Sequence, residues 1–276
     1  MHRFPVRLQP LSDGPLHNKA IIVADIECTV ENNVATVTLN RPAVRNAVTL
    51  SMWKDVARIF AELGAKRDVR AIIFTGAGSN FSVGADVSEF SAVRSNAQDS
   101  ADYEIAVDAS SEAIASVPQP VIAAINGYCL GGGCHLSMAC DFRFASSTAE
   151  IGIPSANLSI VYGVQSTKRL LGLVGLTAAK RILYTAERLG ASEALGIGLV
   201  DRVNDESGAE ARRFAAQIVE KAPLSIAGAK YILNQASMGE SGALAQTMID
   251  RASDSEDYRE ARLAFAEKRR PAFKGL

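Results

Sequence analysis

Hydrophobic and polar residues alternate in two neighbouring segments near the start of the chain. The segments are Ile26–Val30 and Val34–Leu39, and the polar residues Glu31-Asn32-Asn33 separate them. Strict alternation is typical of a strand with one buried face, and a short polar link between two such strands favours an antiparallel hairpin. We therefore predict that an ordered sheet begins at residue 26 and that residues 1–25 form a flexible extension.

The segments that follow alternate between the helical period and short apolar runs. Met52, Val56, Ile59 and Leu63 recur at helical spacing and predict a helix from about residue 51 to residue 65. Further segments of both kinds follow: a strand at Ala71–Phe74, a helix over 101–116, a strand at Val121–Ile125, a helix at Gly132–Ala139, and strands at Phe142–Ala145 and Val200–Val203. Strands that alternate with helices form βαβ units, so the predicted fold class is α/β.

The end of the chain is strongly helical, with long stretches at 206–237 and 242–270. We predict a boundary near residue 205, which divides a core at 26–205 from a helical region at 206–276. One helical stretch carries apolar residues that suit either a subunit interface or the core of the same chain: Phe214, Ala215 and Ile218 within Ala211–Val219.

Charge and cysteine content exclude several classes of protein. The 276 residues carry 29 Lys and Arg against 30 Asp and Glu, so no global field attracts nucleic acid or an anionic membrane surface. No apolar run approaches the roughly 20 residues of a membrane span. Three histidines without metal-ligand spacing predict no metal site. The cysteines lack CxxC spacing, which favours reduced, packed thiols and a cytoplasmic location: Cys28, Cys129, Cys134 and Cys140.

Two glycine-rich loops follow predicted strands and end at predicted helix starts. They span Gly76–Asp86 and Asn126–Gly133. Backbone N–H groups at a helix start attract negative oxygen atoms, so two such loops facing each other would form an oxyanion hole. The alternative is that the glycines only permit tight turns. Neither loop matches GxxxxGK[ST] or GxGxxG, which argues against a nucleotide-dependent oxidoreductase.

Several short motifs occur in the order and spacing of a known superfamily. They are Asn40-Arg41-Pro42, Asn46-Ala47, Gly84-Ala85-Asp86, the run Ile125-Asn126-Gly127 to Gly131-Gly132-Gly133-Cys134, and Ala194-Leu195-Gly196. Over residues 26–276 the chain resembles the crotonase superfamily of enoyl-CoA hydratases and isomerases. The resemblance implies a spiral of βαβ units, a C-terminal helical trimerisation region and a homotrimer or homohexamer. It also implies an acyl-CoA thioester substrate, with coenzyme A bound as part of that substrate and no separate cofactor.

The resemblance assigns roles to particular positions. The thioester oxygen would be held by the backbone N–H groups of Ala85 and Gly132. Contacts near the adenine of coenzyme A would fall on Ala85, Asp86, Val87 and Ser88. Lys268 lies between Phe265 and Phe273 in a segment that closes over the nucleotide in the superfamily. It is the candidate phosphate partner, and a solvated lysine is the alternative.

The chain departs from the hydratase pattern at both catalytic glutamates. His135 and Ser155 occupy those positions. His135 is a candidate base that would project over the α- and β-carbons of the substrate, with its pKa lowered by the helix dipole; a packed histidine that donates to a carbonyl is the alternative. Ser155 could position water but hardly remove a proton. Glu150 is expected to point away from Ile151 and Ile153.

Tyr162 leaves the reaction type open. It lies where the resemblance to methylmalonyl-CoA decarboxylase places an active-site tyrosine, although Ala85 stands where that enzyme has a histidine. Decarboxylation needs enolate stabilisation and no glutamate base. The predicted function is therefore that of an enoyl-CoA hydratase/isomerase-family enzyme with altered acid and base residues. A decarboxylase of the methylmalonyl-CoA type and a non-catalytic acyl-CoA-binding homologue are the alternatives.

Overall fold

The computed structural model describes residues 19–23 and 25–276. The strands are β1 (Lys19–Val23), β2 (Ile26–Glu31), β3 (Val34–Leu39), β4 (Ala71–Gly76), β5 (Val121–Ile125), β6 (Tyr128–Leu130), β7 (Phe142–Ala145), β8 (Glu150–Gly152), β9 (Arg188–Gly190) and β10 (Arg202–Val203). The α-helices are α1 (Leu50–Gly64), α2 (Phe90–Val93), α3 (Ala97–Ser116), α4 (Gly132–Ala139), α5 (Val164–Thr185), α6 (Ala191–Gly196), α7 (Ser207–Val219), α8 (Pro223–Ser237), α9 (Ala245–Ser253) and α10 (Glu256–Ala266).

The strands form two sheets, and the chain passes from one sheet to the other more than once. The larger sheet has the order β1-β2-β3-β4-β5-β7-β10, and the smaller has the order β6-β8-β9. The hairpin β2–β3 is antiparallel as predicted, whereas the strands of the larger sheet from β3 onward, β3-β4-β5-β7-β10, pair in parallel. A strand of the larger sheet is followed by one of the smaller sheet at β5–β6 and again at β7–β8. This repeated passage between the two sheets is the predicted spiral of βαβ units.

The central strands β4 and β5 of the larger sheet are buried on both faces, and their residues divide between two apolar clusters. In β5, Val121, Ala123 and Ile125 pack with α1 and α3 residues, whereas Ile122 and Ala124 pack towards α7. This division follows from the alternation of side chains along a strand. Burial on both faces also explains why β4 and β5 read as continuous apolar runs in the sequence.

Several predicted boundaries change in the structure. Helix α3 begins at Ala97 rather than near 101, and the strand predicted at Val200–Val203 is confined to β10. The loop predicted at Asn126–Gly133 contains strand β6. Each of the two long C-terminal stretches divides into two helices. Residues 1–18 and 24 of the predicted extension lie outside the described residues. Residues 19–23 of the same extension form strand β1, which pairs with β2, so the sheet begins before residue 26.

The C-terminal helices contact the core in two ways. Ala211 and Ala215 of α7 are buried against the larger sheet, so this stretch packs within its own chain. Lys230 of α8 lies 2.7 Å from Asp141 Oδ2 and also donates to the carbonyl of Gln119. Many side chains of α8, α9 and α10 remain exposed, including Leu233 and Phe265. No helix among the residues that the structure describes is both long and apolar enough to cross a membrane.

Candidate active site

The first glycine-rich loop is held in place by the asparagine and arginine of the early motifs. Asn46 is fully buried, and its amide donates to the carbonyls of Ala77 and Asn80 at 2.9 and 2.7 Å. Arg41 donates through Nη1 to Asp86 Oδ2 at 2.8 Å and to the carbonyl of Ala47. These bonds fix both ends of the loop, which gives the motifs a structural reason.

A single β-bridge sets the direction of the Ala85 N–H group. Val48 donates to the carbonyl of Gly84 and accepts from the N–H of Asp86, at 2.8 and 2.9 Å. Neighbouring residues of an extended segment point their N–H groups in opposite directions, so the N–H of Ala85 points away from Val48. It has no acceptor among the residues that the structure describes.

The second loop approaches the first so closely that glycine is required in both. Gly84 has φ +93°, and a Cβ added there would lie 2.7 Å from the nitrogen of Gly132. A Cβ on Gly132 would lie 3.2 Å from the nitrogen of Ala85 and 2.8 Å from the Trp53 indole. Any side chain at these positions would push the loops apart. The glycines therefore bring the two N–H groups together.

The N–H of Gly132 also lacks an acceptor within residues 25–276. Gly132 is the first residue of α4, where the backbone N–H groups have no partner inside the helix and the helix dipole is positive. Two neighbouring N–H groups at a helix start, without acceptors among the described residues, are the kind of donors that an oxyanion hole requires. The structure thus has the geometry expected of the predicted oxyanion hole.

His135 lies one helical turn after Gly132 but is enclosed rather than projecting over the site. Its side chain is 3% exposed, and Nε2 lies 3.3 Å from the carbonyl of Val107. Because a carbonyl only accepts, Nε2 carries the proton, and Nδ1 accepts from the Ser166 hydroxyl at 2.5 Å. This arrangement matches the packed-histidine alternative. Burial lowers the pKa of His135 to about 4, so the direction agrees with the expectation but desolvation is its main cause.

Tyr162 packs beside His135, with ring centroids 6.3 Å apart in an edge-to-face arrangement. Its hydroxyl oxygen is buried and has no hydrogen-bond partner among the described residues. Burial raises the pKa of this hydroxyl well above its ordinary value of 10, so the group is a neutral donor. A buried hydroxyl without a partner is costly, which marks this oxygen as a place where a ligand acceptor would fit.

Ser155 and Glu150 do not reach this cluster through any hydrogen bond in the described part of the chain. Ser155 is half-buried in the short 3₁₀ helix Pro154–Leu158, and its hydroxyl has no partner there. Glu150 pairs with Arg188 of β9 at 3.4 Å, whereas Ile151 is buried. The orientation predicted for Glu150 is confirmed.

The residues expected near coenzyme A occupy two separate segments. Asp86 caps the 3₁₀ helix Val87–Glu89, where it accepts from the N–H of Ser88 at 3.1 Å. Hydrogen bonds from Ser88 and Arg41 hold the pKa of the Asp86 carboxyl below its ordinary value. Lys268 is exposed just after α10, and no bond joins it to residues 85–88 within the described ranges.

Two residues beside the site, Trp53 and Asp108, were not identified from the sequence. Trp53 is fully buried beneath Gly132, and its Nε1 donates to the Tyr103 hydroxyl at 2.8 Å. Asp108 of α3 lies beside the loop that carries Tyr162: its Oδ1 is 3.7 Å from the Cβ position at Gly163. Burial raises the pKa of the Asp108 carboxyl. Trp53 could have been found in the sequence, because it falls on the apolar face of α1. No sequence pattern marks Asp108, because only the fold brings α3 next to the loop that carries Tyr162.

Comparisons with known proteins identify the family of the chain. The sequence profile described as enoyl-CoA hydratase/isomerase matches residues 29–276. The short-chain-enoyl-CoA hydratase of Clostridium acetobutylicum is 37% identical over 246 residues, which cover 87% of this chain and 94% of that protein. The crotonyl-CoA hydratase of Syntrophomonas wolfei is 34% identical over 257 residues, with coverage of 88% and 95%. The crystal structure of an enoyl-CoA hydratase/carnithine racemase from Magnetospirillum magneticum has a TM-score of 0.86 and 33% identity, and covers 92% of this chain and 97% of its own. The chain therefore belongs to the enoyl-CoA hydratase/isomerase family, within the crotonase superfamily that its glycine loops resemble.

Proposed function

We propose that this protein acts on an acyl-CoA thioester and stabilises the enolate form of the thioester with the N–H groups of Ala85 and Gly132. The observation that carries this proposal is that these two N–H groups lie close together at the start of α4 and have no acceptors among the described residues. Hydrogen-bond donors fixed in advance at the position of developing charge are worth roughly 10²- to 10³-fold in rate. Asp86, Val87, Ser88 and Lys268 are candidates for the coenzyme A contacts, and the substrate itself supplies coenzyme A.

The acid and base chemistry differs in this proposal from that of a glutamate-pair hydratase. Both ring nitrogens of His135 are engaged, and its low pKa makes it a weak base. We therefore assign it a positioning role for Trp53 and Tyr162, whose rings pack edge-on against the imidazole. Ser155 would hold water or a polar acyl group. Hydration of crotonyl-CoA should therefore be slow, because neither residue activates water as a carboxylate does.

Decarboxylation of a methylmalonyl-CoA-type thioester is the second candidate, favoured by the unpaired hydroxyl of Tyr162. A neutral hydroxyl can donate to the leaving carboxylate and orient it. The bond between the α-carbon and the carboxylate then breaks, its electron pair passes into the enolate held by the oxyanion hole, and carbon dioxide leaves. A proton added to the α-carbon completes the balance. No base is needed before the bond breaks.

A panel of thioesters read by mass spectrometry would separate these functions. It should contain crotonyl-CoA, 3-hydroxybutyryl-CoA and methylmalonyl-CoA. Loss of carbon dioxide that falls at least tenfold in Tyr162→Phe would support decarboxylation, since phenylalanine keeps the ring and removes the donor. Hydration that persists in His135→Ala but is lost in Asp108→Asn would instead assign the base to Asp108. Tight binding without any product would identify a non-catalytic homologue.

A matched pair of variants tests the oxyanion hole itself. Gly132→Ala and Gly132→Pro both add a Cβ that meets Trp53, but only proline removes the N–H. Proline is compatible with the first position of a helix, so the helix start is preserved. We expect turnover of the proline variant to be roughly 10²-fold below that of the alanine variant. Equal turnover in two folded variants, with the alanine variant still active, would exclude Gly132 as a donor.

A further inference from the structure

A cavity of about 280 Å³ lies at the other end of α1 from the thioester site. The segment after α1, the Pro118–Pro120 turn, α8, α9 and the C-terminal tail form its wall. Trp53, which packs on Gly132, lies near the start of α1, whereas the cavity begins at Gly64, the last residue of the helix. Eleven residues of helix span about 16 Å. The cavity is therefore separate from the thioester site.

The charged side chains in the cavity wall are all basic: Lys66, Arg67, Arg70, Lys221, Arg251 and Lys274. None of them lies within 4.0 Å of a carboxylate in the part of the chain that the structure describes. Like charges that line one cavity without a carboxylate beside them attract anions. The whole chain has a net charge of −1, so this excess of positive charge is local to the cavity and is not part of a generally basic surface.

Two helix ends border the cavity, and their arrangement favours an anion. Helix α8 begins there at Pro223, and no side chain of the described residues caps its first N–H groups, so the positive end of its dipole is available. The carbonyls at the end of α1 and just after it would oppose an anion, but Gln119 Nε2 donates to those of Leu63 and Lys66 at 3.1 Å. A third bond, to the carbonyl of Val69, fixes the orientation of the amide.

The side-chain oxygen of Gln119 offers an acceptor to a ligand in the cavity. Because Nε2 faces carbonyls, Oε1 lies on the other side of the amide, where it is buried and has no partner among the described residues. An N–H or O–H group of a ligand would satisfy this oxygen. The apolar part of the wall, with Val69, Pro118, Ile226 and Met248, would accommodate a ring. The volume lies just below the usual lower bound of about 300 Å³ for small-molecule sites, so the ligand is small.

We propose that this cavity is a second ligand site, which binds an organic phosphate of mononucleotide size that carries an N–H or O–H donor. The phosphate lies among the lysines and arginines near the start of α8, and the organic part packs on the apolar wall. The proposal does not depend on the acyl-CoA activity, because none of the residues assigned to the thioester lines the cavity.

Calorimetric titration with AMP, adenosine and inorganic phosphate as probes tests this site. AMP should bind at least tenfold more tightly than adenosine, which lacks the phosphate, and than inorganic phosphate, which lacks the ring. Each titration is repeated with saturating coenzyme A, which fills the thioester site if that site exists. Binding of AMP should be unchanged by coenzyme A.

Substitutions inside and outside the cavity test whether AMP binds there. The double variant Lys221→Gln and Arg251→Gln should weaken AMP at least tenfold, whereas Lys180→Gln, an exposed cation of α5 outside the cavity, should leave it unchanged. Ala227→Leu fills the cavity without changing its charge and should also weaken AMP; a thermal melt shows whether that variant is folded. Turnover of the thioester should be the same in all folded variants.

Three results would overturn the proposal. The first is no AMP binding at millimolar concentration. The second is AMP binding that coenzyme A displaces and that the double glutamine variant retains, which would put AMP in the thioester site. The third is inorganic phosphate binding as tightly as AMP, which would leave only a general anion site. Failure of the thioester assays alone affects the proposed activity and not this cavity.

Discussion

Acidification below about pH 6.5 should destabilise the wild-type protein more than a His135→Gln variant. The folded state lowers the pKa of His135 to about 4 from its ordinary value of 6.5. The folded state thus prefers the neutral imidazole, and the stabilisation from this preference is complete above pH 6.5. It is lost as the pH falls towards 4, because the unfolded chain then binds a proton that the folded chain excludes. The full difference is about 3 kcal/mol.

The assay is urea unfolding at fixed protein concentration between pH 7 and pH 5. Over this range the linkage equation removes about 2 kcal/mol from the free energy of unfolding of the wild type. Glutamine can still donate to the carbonyl of Val107 but does not titrate. The free-energy difference between the wild type and the variant should therefore shrink by about 2 kcal/mol on acidification. Other titrating groups are common to both proteins and cancel.

Two results would refute the reasoning. Parallel pH profiles for wild type and His135→Gln would show that the imidazole titrates alike in both states. An NMR titration of selectively labelled histidine in which His135 changes charge near pH 6.5 would show that its ring is solvated. The second result would also reopen its role as a base, since an imidazole with that pKa is a competent base near neutral pH.

The remaining predictions concern the α8 ion pair, the bound phosphates and assembly. Lys230→Met should lower the free energy of unfolding by about 3 kcal/mol because it leaves the partly buried Asp141 carboxylate without its cation, whereas Arg58→Met, which breaks more exposed pairs with Asp55 and Glu62, should cost less than about 1 kcal/mol. Urea unfolding of both variants measures the contrast, and equal losses would contradict it. Coenzyme A affinity should weaken as salt rises, because its phosphates need local cations; calorimetry that finds no dependence would oppose that. Light scattering at micromolar concentration should give the mass of a trimer or hexamer, in line with the exposed apolar side chains of α8 to α10, and a monomeric mass would exclude this assembly.

The order of helices and strands followed from local sequence patterns. The β2–β3 hairpin, the helix from Leu50 to Gly64 and strand β5 carry clear hydrophobic periods, because each buries a face set by its own geometry. Strand β6 was hidden inside a glycine-rich loop, since three residues are too few for a period. The breaks within the long C-terminal stretches were also missed, because both sides of each break are helical.

The sequence motifs, through their resemblance to the crotonase superfamily, also predicted which backbone N–H groups would form an oxyanion hole, those of Ala85 and Gly132. Only the tertiary structure decided what surrounds it. The role of His135 depends on Val107 and Ser166, which lie 28 and 31 residues away in the chain, and the burial of the Tyr162 hydroxyl depends on the same packing. A pKa and a hydrogen-bond partner are properties of the assembled environment, because desolvation arises only when distant segments exclude water.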